Sequence, residues 1–575
     1  MILSKKILFL FAAQLVALAT FNIRAANVGH EVAYMQTDRT TYIAGESIYY
    51  KLYVLDSETK KCSDISKVGY VLLQGAGSGS TLKVRVRIDS GMASGSILLP
   101  DTLASGAYQL VAFTSAMRNS GDRNFFYQDI VIANRYDKEL KFKIVNSIAP
   151  DSNFMKTRSI ESAIKTDKKV YGLREKVVVN LENMASQANV AVSVYEVPPL
   201  SPSVKTIVET MNALSVTPEN TQKLIYHSPE NKAKLLNGRV LDVVTNKVVS
   251  DAVVLLSCND TVPNLQYAAT NSNGKFQLLL NDYYEGKELF LTIRDVPVGQ
   301  QWKIETEDEF AQNQAWNPIL ITSSGDFKDY IVKSQNVVYI NKSYQLNNDP
   351  ADKPKLILNP ICPLFYHNTG TTILPSDFVS LDDFPEIVVE ILPQVVISRE
   401  KGKPRIKVYN TLTKIFNKNS PAIFLDGVFV DDIDKILGLG SEQIEKIEVF
   451  EVERAFGDLA FSGVLSIVTK SNEILNTKPA LQSLRLKNDR VNTGGRLVTV
   501  SPDQIQNKDL PIFKQLLYWN PSLELKGKDS TNVEFYTSDN AANYMIKIEG
   551  ISVDGSPISS STGIQVINQP NVTAK

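Results

Sequence analysis

Three side chains in this sequence are of the types that hold a catalytic zinc ion. His227 and Glu230 lie in the order His-Ser-Pro-Glu, and His367 follows far downstream. Two ligands at this spacing and a distant histidine would suit zinc-assisted peptide hydrolysis. However, Pro229 lies in a stretch with the composition of an interdomain linker, and no catalytic-domain pattern surrounds the pair. We therefore expect no zinc site here and keep a zinc metallopeptidase as the last alternative.

Two groups of oxygen-bearing side chains could bind a cation. The first contains Asp426, Asp431, Asp432 and Asp434, and the second is Asn271-Ser272-Asn273-Gly274. A turn explains Asp426, and a helix start explains Asp431 and Asp432. The Asn271–Gly274 segment lacks a full set of calcium ligands and is typical of a hairpin turn. We predict no metal site and no cofactor.

The sequence also predicts no catalytic residue. It contains no Gly-x-Ser-x-Gly motif, phosphate loop, dinucleotide-binding fingerprint or Cys-x-x-Cys pair. Cys62, Cys258 and Cys362 are far apart and odd in number, so we expect small buried side chains, with one disulfide pair left open. We therefore expect a protein that is not an enzyme.

The stretch from Pro421 to Lys470 has the clearest pattern of elements. Its apolar runs at 423–425, 447–450 and 464–468 predict strands, and Asp426-Gly427 predicts a hairpin turn. Ser441 is expected to cap a short helix at 442–446. Upstream, Asp383 is expected to cap a helix from about 384 to 392, and strands are predicted at 395–398 and 406–409.

Three marks in this stretch occur in the order found in one known family. They are Phe424-Leu425-Asp426-Gly427-Val428, Ile444-Glu445-Lys446-Ile447-Glu448-Val449, and Gly463-Val464 with Thr469-Lys470. The stretch resembles the plug domain of TonB-dependent outer-membrane receptors. Such receptors surround the plug with a barrel of about 22 strands. Because 105 residues follow Lys470 (575 minus 470), we expect a plug-like fold reused without that barrel.

The first half of the chain contains an internal repeat. Thr37-Asp38-Arg39, Tyr42 and Glu46 recur at equal spacing as Thr166-Asp167-Lys168, Tyr171 and Glu175, each time before a predicted strand. The repeat predicts two tandem β-sandwiches. The first copy resembles a macroglobulin-type domain of bacterial α-macroglobulins. None of the cysteines has the Cys-Gly-Glu-Gln context of a thioester, so the resemblance implies an interaction module without trapping chemistry.

The middle of the chain predicts another small sandwich. Strands at 239–241 and 252–256 and a hairpin at Asn273-Gly274 follow Leu236. This segment resembles the carboxypeptidase regulatory-like domain, which often precedes a plug in exported proteins of the Bacteroidetes type. Short strands after 516 predict a last sandwich. The predicted fold class is mainly β and multidomain, with tandem β-sandwiches and one small α/β plug-like domain.

The predicted domains follow one another along the chain. They are a signal peptide at 1–25, macroglobulin-like sandwiches at 27–148 and 149–232, a regulatory-like sandwich at 233–315, a connector at 316–375, a plug-like domain at 376–475 and a C-terminal sandwich at 476–575.

Charge and the N-terminus restrict the partners. Lys5 and Lys6 precede an apolar run at 7–21 and small residues at Ala25 and Ala26, which is typical of an export signal. A net charge of −1 argues against nucleic acid. No later stretch is apolar enough for a membrane-spanning helix. We expect an exported, non-enzymatic binding scaffold or outer-membrane accessory factor, in the periplasm or at the cell surface, with envelope proteins as partners. The alternative is an accessory component of TonB-dependent nutrient uptake.

Overall fold

The computed structural model describes residues 31–75, 81–137, 147–148, 158–159, 163–182, 187–199, 201–214, 227–260, 263–310, 316, 325–344, 370–400, 403–417, 419–477, 480–492, 495–497, 501, 510–527 and 530–568. The expected export signal, Cys362 and His367 lie outside these residues. The described residues fall into two compact units. The first is drawn from Met1–Lys232, Glu309–Leu356 and Val491–Lys575, and the second from Ala233–Asp308 and Ile357–Arg490.

Strands dominate both units, which confirms the predicted mainly β, multidomain fold. Up to residue 232 the strands are β1 (Glu31–Thr37), β2 (Thr41–Ile43), β3 (Ser47–Asp56), β4 (Val68–Gly75), β5 (Thr81–Arg87), β6 (Met92–Leu98), β7 (Gly106–Thr114), β8 (Phe126–Ala133), β9 (Ser147–Ile148), β10 (Arg158–Ser159), β11 (Ala163–Thr166), β12 (Val170–Tyr171), β13 (Lys176–Glu182), β14 (Gln187–Glu196) and β15 (Ser201–Pro202). From 233 to 416 they are β16 (Lys234–Asp242), β17 (Val253–Cys258), β18 (Gln266–Ala269), β19 (Lys275–Leu280), β20 (Glu288–Ile293), β21 (Trp302–Thr306), β22 (Thr371–Ile373), β23 (Val395–Glu400), β24 (Lys403–Asn410) and β25 (Ile415–Phe416). The remaining strands are β26 (Ala422–Leu425), β27 (Val428–Phe429), β28 (Ile444–Phe450), β29 (Arg454–Phe456), β30 (Leu459–Phe461), β31 (Val464–Thr469), β32 (Ser483–Lys487), β33 (Leu516–Lys526), β34 (Thr531–Tyr536), β35 (Asn543–Ser552) and β36 (Pro557–Val566). The helices are α1 (Ile207–Asn212), α2 (Gly325–Ser343), α3 (Phe384–Ile391) and α4 (Asp434–Leu437).

The first sandwich of the first unit is built from β1 to β8. One sheet has the strand order β1-β3-β6, and the other has the order β2-β8-β7-β4-β5. Branched and aromatic side chains at alternating positions, such as Tyr50, Leu52 and Val54 of β3, are completely buried. They belong to one core that includes residues of both sheets, which makes the two sheets a sandwich.

A long helix lies in the stretch that was predicted to be a connector, at 316–375. Helix α2 packs Phe327, Ile331 and Val338 against Ile43 of β2 and Val131 of β8. Buried residues along α2 recur every three or four positions, as expected for one face of a helix. Because tyrosine, serine and asparagine interrupt the apolar stripe, the sequence pattern alone did not indicate this helix.

The second sandwich of the first unit combines two distant parts of the chain. Strand β14 pairs antiparallel with both β33 and β35, and β13 pairs with β34. The sequence pattern predicted these strands in two separate sandwiches, at 149–232 and 476–575. The structure differs because β13 and β14 find the neighbours for their backbone groups in the C-terminal strands. The side chains of both parts form one core, which includes Tyr171, Val192 and Tyr544.

The second unit contains a sandwich and an α/β sheet. The sandwich has sheets β19-β16-β21 and β18-β17-β20-β32, so strand β32 completes the region predicted at 233–315. The α/β sheet has the order β22-β28-β31-β26-β27, and β26 runs parallel to β31. Helix α3 packs Phe384, Ile387 and Val388 into the same core as this sheet.

Two local predictions in the second unit have different outcomes. The helix near 384–392 is confirmed, and the Asp383 carboxylate accepts the amide of Glu386 at 2.9 Å as its cap. The helix expected at 442–446 is wrong, because β28 begins at Ile444. Ser441 instead accepts a hydrogen bond from the amide of Leu381 at 2.9 Å. Across the described ranges, no helix is long and apolar enough to cross a bilayer.

Candidate functional site

The sequence repeat forms the same hydrogen-bonded turn twice. In the first copy, the Tyr42 hydroxyl donates to Asp38 at 2.8 Å, and the same carboxylate oxygen accepts the amide of Tyr49 at 2.9 Å. In the second copy, Tyr171 donates to Asp167 at 2.7 Å, and Asp167 accepts the amide of Val178 at 2.9 Å. Each carboxylate thereby fixes its tyrosine and the start of the next strand.

The glutamate of the repeat also has the same place in both copies. Glu46 accepts the amide of Ile43 at 2.7 Å, and Glu175 accepts the amide of Gly172 at 2.6 Å. Each glutamate also forms an ion pair with the basic residue of its turn, Arg39 or Lys168. The predicted internal repeat is therefore confirmed at the level of individual contacts.

The two copies differ in burial. Asp38 and Arg39 are buried, whereas Asp167 and Lys168 are exposed. Burial raises the pKa of the Asp38 carboxyl to about 6, against the lowering effect of the Arg39 guanidinium. The first copy thus carries a buried ion pair between Arg39 and Asp38, whereas the ion pair of the second copy, between Lys168 and Glu175, is in contact with water.

The outer face of β3 is the surface on which the two sandwiches of the first unit meet. Tyr49 of β3 packs against Ala191 of β14 and against Leu516 and Trp519 of β33. Further along this face, the Lys51 ammonium contacts the Asn189 side-chain oxygen, and the Tyr53 hydroxyl donates to the carbonyl of Glu549 at 3.0 Å. In β3, the aromatic and polar side chains that face the second sandwich therefore alternate with the side chains that face the core of the first sandwich.

Glu549 is the central charged residue of this interface. Its side chain is completely buried and accepts hydrogen bonds from Tyr34 and, at 3.2 Å, from Ser559. Lys547 lies 3.2 Å from the same carboxylate. A buried carboxylate needs such partners because an uncompensated charge is costly away from water. Glu549 therefore links β1 of the first sandwich to β35 and β36 of the second.

Lys51 is a buried basic residue of this interface. It is 2% exposed, and burial lowers the pKa of its ammonium group to about 7. The ring of Tyr53 lies 4.7 Å from its amine. The neutral and charged forms of Lys51 are thus both accessible near neutral pH.

The residues considered for zinc have structural roles where the structure describes them. Both carboxylate oxygens of Glu230 accept the Tyr70 hydroxyl, at 2.8 and 2.9 Å. The backbone of His227 exchanges two hydrogen bonds with the Asn119 side chain, at 2.7 and 2.8 Å. These contacts tie the segment after residue 226 to the first sandwich. Within the described ranges, no three His, Cys, Asp or Glu side chains are grouped to hold a metal ion.

The aspartates that were considered for a cation site have separate roles, mainly in turns. Asp426 is 2% exposed and accepts the Thr469 amide at 2.6 Å and the Ile474 amide at 3.2 Å, so it caps the end of β31. Asp432 accepts the amide of Asp434 at 3.2 Å at the start of α4. Asp431 and Asp434 are exposed.

The other candidate segment and two cysteines have similarly local roles. Asn271 accepts the amides of Asn273 and Lys275, at 2.9 and 3.0 Å, as expected for the predicted hairpin turn. Cys258 is buried in the core of the second unit, and Cys62 is half-buried.

Lys51, Asn189 and Glu549 were not among the residues predicted from the sequence. A signal for Lys51 was present, because a lysine in the apolar run Ile48–Val54 indicates a strand whose second face is not simply solvent. Glu549 gave a similar signal, because it is a charged residue inside the strand-like run Tyr544–Gly550. Their juxtaposition could not be inferred, because the two strands lie about five hundred positions apart in the chain.

Comparisons with known proteins give only distant similarities. No family model matches the sequence, and no curated protein matches it. Two structures of Escherichia coli alpha-2-macroglobulin, activated by porcine elastase and by trypsin, cover 94% and 95% of this chain at 9% and 10% identity, both with a TM-score of 0.24. A dimeric latent PorU from Porphyromonas gingivalis covers 49% of it at 11% identity and a TM-score of 0.15. The chain spans 44%, 42% and 34% of the lengths of these three proteins. Similarity at these scores assigns neither a family nor an activity.

Proposed function

We propose that this chain is an exported, non-enzymatic protein of the bacterial envelope that acts as a multidomain binding scaffold or outer-membrane accessory factor. The observation that carries the proposal is the buried network around Glu549, which Tyr34 and Tyr53 of the first sandwich contact. Hydrogen bonds to a buried charge hold two sandwiches in one arrangement. Loops of both sandwiches can then bind a partner as a single surface.

The export signal predicted at 1–25 supports the location, and the resemblance of the first sandwich to macroglobulin-type domains supports the binding role. The resemblance of the second unit to carboxypeptidase regulatory-like and plug domains also supports a location in the bacterial envelope. Glu230 and His227 are held by Tyr70 and Asn119, so a zinc metallopeptidase is not proposed.

In-cell crosslinking tests the scaffold. A photoreactive amino acid is introduced at exposed positions of the first unit, such as Glu58 and Glu534, in cells that export the chain. We expect a specific envelope protein to be crosslinked and to co-purify with the chain. The Glu549→Ala variant, which disrupts the joint between the sandwiches, should lose that product while still being exported. Recovery of no envelope protein from any position would refute the scaffold role.

An accessory role in TonB-dependent uptake is the second candidate. It is supported by the Asp426-Gly427 hairpin between β26 and β27 and by the parallel pairing of β26 with β31, which contain two of the plug-like marks. The matched experiment places the photoreactive residue at exposed Glu445 of β28. A crosslink to a receptor barrel or an energy-coupling protein from Glu445, with none from Glu534, would support this candidate. The reverse pattern would exclude it.

A further inference from the structure

The hairpin of β24 and β25 ends in an exposed apolar tip. Leu412, Ile415 and Phe416 are 75%, 60% and 41% exposed, and every residue from 411 to 416 is exposed. Large apolar side chains grouped at the end of a hairpin are unusual on a surface that faces only water. We define the tip hairpin as residues 403–416.

The turn of the tip hairpin is held by hydrogen bonds. The Asn410 side-chain oxygen accepts the amides of Leu412 and Thr413, at 3.0 and 3.1 Å, and the Lys414 amide donates to the Asn410 carbonyl at 2.8 Å. Lys414 has a φ of 55°. The exposure of Leu412 is therefore fixed by an ordered turn.

The same turn occurs twice elsewhere in the chain with other side chains at its tip. Asp56 accepts the amides of Glu58 and Thr59, and Lys60 has a φ of 57°. Asp242 likewise accepts the amides of Val244 and Thr245, and Asn246 has a φ of 55°. Glu58, Val244 and Leu412 thus occupy equivalent positions. Because glutamate fits this position, turn geometry does not require a leucine at 412.

The sequence in and next to the tip hairpin is rich in positive charge. Residues 399–418 contain seven lysines and arginines and a single carboxylate, Glu400, whereas the whole chain has a net charge of −1. Glu400 lies 3.2 Å from Arg405 and 3.0 Å from Lys407, so one carboxylate contacts two cations. The excess charge is complementary to an anionic surface.

Chemical type changes along the hairpin from its base to its tip. Arg405, Lys407 and Tyr409 alternate along one face of β24, and the Tyr409 ring packs edge-on against Phe416 with centroids 5.4 Å apart. Beyond this aromatic pair the tip carries Leu412 and Ile415, with Lys414 between them. Cations at the base, then aromatic rings, then aliphatic groups match phosphates, the interface and acyl chains at a membrane surface, and the long side chain of Lys414 can reach back to the phosphates.

We infer that the tip hairpin binds the surface of an anionic phospholipid bilayer, with Leu412 and Ile415 entering the interface and Lys407 and Lys414 near the lipid phosphates. A convex, exposed tip favours a fluid bilayer over a protein partner, which would need a pocket of matching shape. This inference stands apart from the scaffold role, because it concerns a lipid and a different unit of the chain.

Vesicle flotation of the exported chain tests the inference. Vesicles of phosphatidylcholine are compared with vesicles that also contain phosphatidylglycerol. We expect binding to the vesicles with phosphatidylglycerol, weaker binding as salt increases, and little binding to phosphatidylcholine alone. Leu412→Glu should weaken binding about tenfold, and the double variant Lys407→Gln with Lys414→Gln should remove most of the preference for phosphatidylglycerol.

Val244→Glu is the matched control, because it removes an exposed apolar side chain from the equivalent turn outside the basic hairpin. Its binding should equal that of the unaltered chain, and the melting temperature of Leu412→Glu should be unchanged. Absence of binding to vesicles with phosphatidylglycerol, an equal loss in both glutamate variants, or no loss in Leu412→Glu would overturn the inference. Capture by soluble polyglutamate that is as tight as vesicle binding would instead indicate an acidic protein partner.

Discussion

The Tyr42 hydroxyl donates a hydrogen bond to the Asp38 carboxylate at 2.8 Å in a turn where both side chains are almost completely buried. The second copy of the turn has the equivalent bond, but there the carboxylate of Asp167 is exposed. The same contact therefore occurs in two environments within one chain, and the difference in burial predicts a difference in energy.

Tyr42→Phe should reduce the free energy of unfolding by about 1–3 kcal/mol, because it removes a donor to a buried carboxylate. Tyr171→Phe should cost less than about 1 kcal/mol, since water can replace the lost donor at Asp167. Urea denaturation of both variants measures the two values. Equal losses would show that burial does not control the strength of this contact.

Lys51 should make the stability of the first unit depend on pH. Its pKa is about 7 in the folded chain and near its ordinary value of 10.5 when unfolded. Between these values the unfolded chain binds more protons, so the free energy of unfolding should rise with pH, by up to about 1.4 kcal/mol per pH unit. Below pH 7 both states are protonated and this contribution is constant.

Thermal melts from pH 7 to 10 check the prediction with two methionine variants. Lys51→Met should remove the rise in melting temperature, whereas Lys526→Met, at an exposed position of β33, should retain it. A rise that persists unchanged in Lys51→Met would assign the pH dependence to another group.

Tyr34 and Glu549 should be energetically coupled across the interface of the two sandwiches. Tyr34→Phe and Glu549→Gln should each cost about 1–3 kcal/mol, because each leaves a buried polar group with fewer partners. The double variant should cost clearly less than the sum of the two. Tyr34→Phe combined with Glu534→Gln, an exposed carboxylate of β34, should instead be additive. Additive losses in the free energy of unfolding for Tyr34→Phe and Glu549→Gln would exclude energetic coupling between the two residues.

Local features of this fold could be predicted from the sequence, and distant pairings could not. The turn at Tyr42 and its repeat at Tyr171 were visible because their contacts span only a few residues. The cap at Asp383 was visible for the same reason. The pairing of β14 with β33 joins strands more than three hundred positions apart, and several antiparallel partners would satisfy the same hydrophobic pattern.

In the candidate site, too, local features could be predicted from the sequence and distant contacts could not. The run that contains Tyr49, Lys51 and Tyr53 predicted a strand, but only the fold shows that Asn189 and Glu549 lie opposite. The exposure of Leu412 could not be predicted from the sequence either, because a leucine in a strand-like run is usually a core residue.

Gly427 should tolerate no side chain, because its backbone has a φ of 80° and its turn lies directly against another loop of the second unit. A Cβ at Gly427 would lie 2.4 Å from the carbonyl oxygen of Asp260, a backbone atom that cannot move aside cheaply. Gly427→Ala should therefore lower the free energy of unfolding by at least about 1–3 kcal/mol. Gly438 is the matched control in the same unit, since its φ is −88° and a Cβ there would meet nothing within 4 Å. Gly438→Ala should change stability by no more than about 0.5 kcal/mol. Chemical denaturation of both variants measures the difference, and equal stability would mean that the Asp426-Gly427 hairpin does not pack against Asp260 in solution.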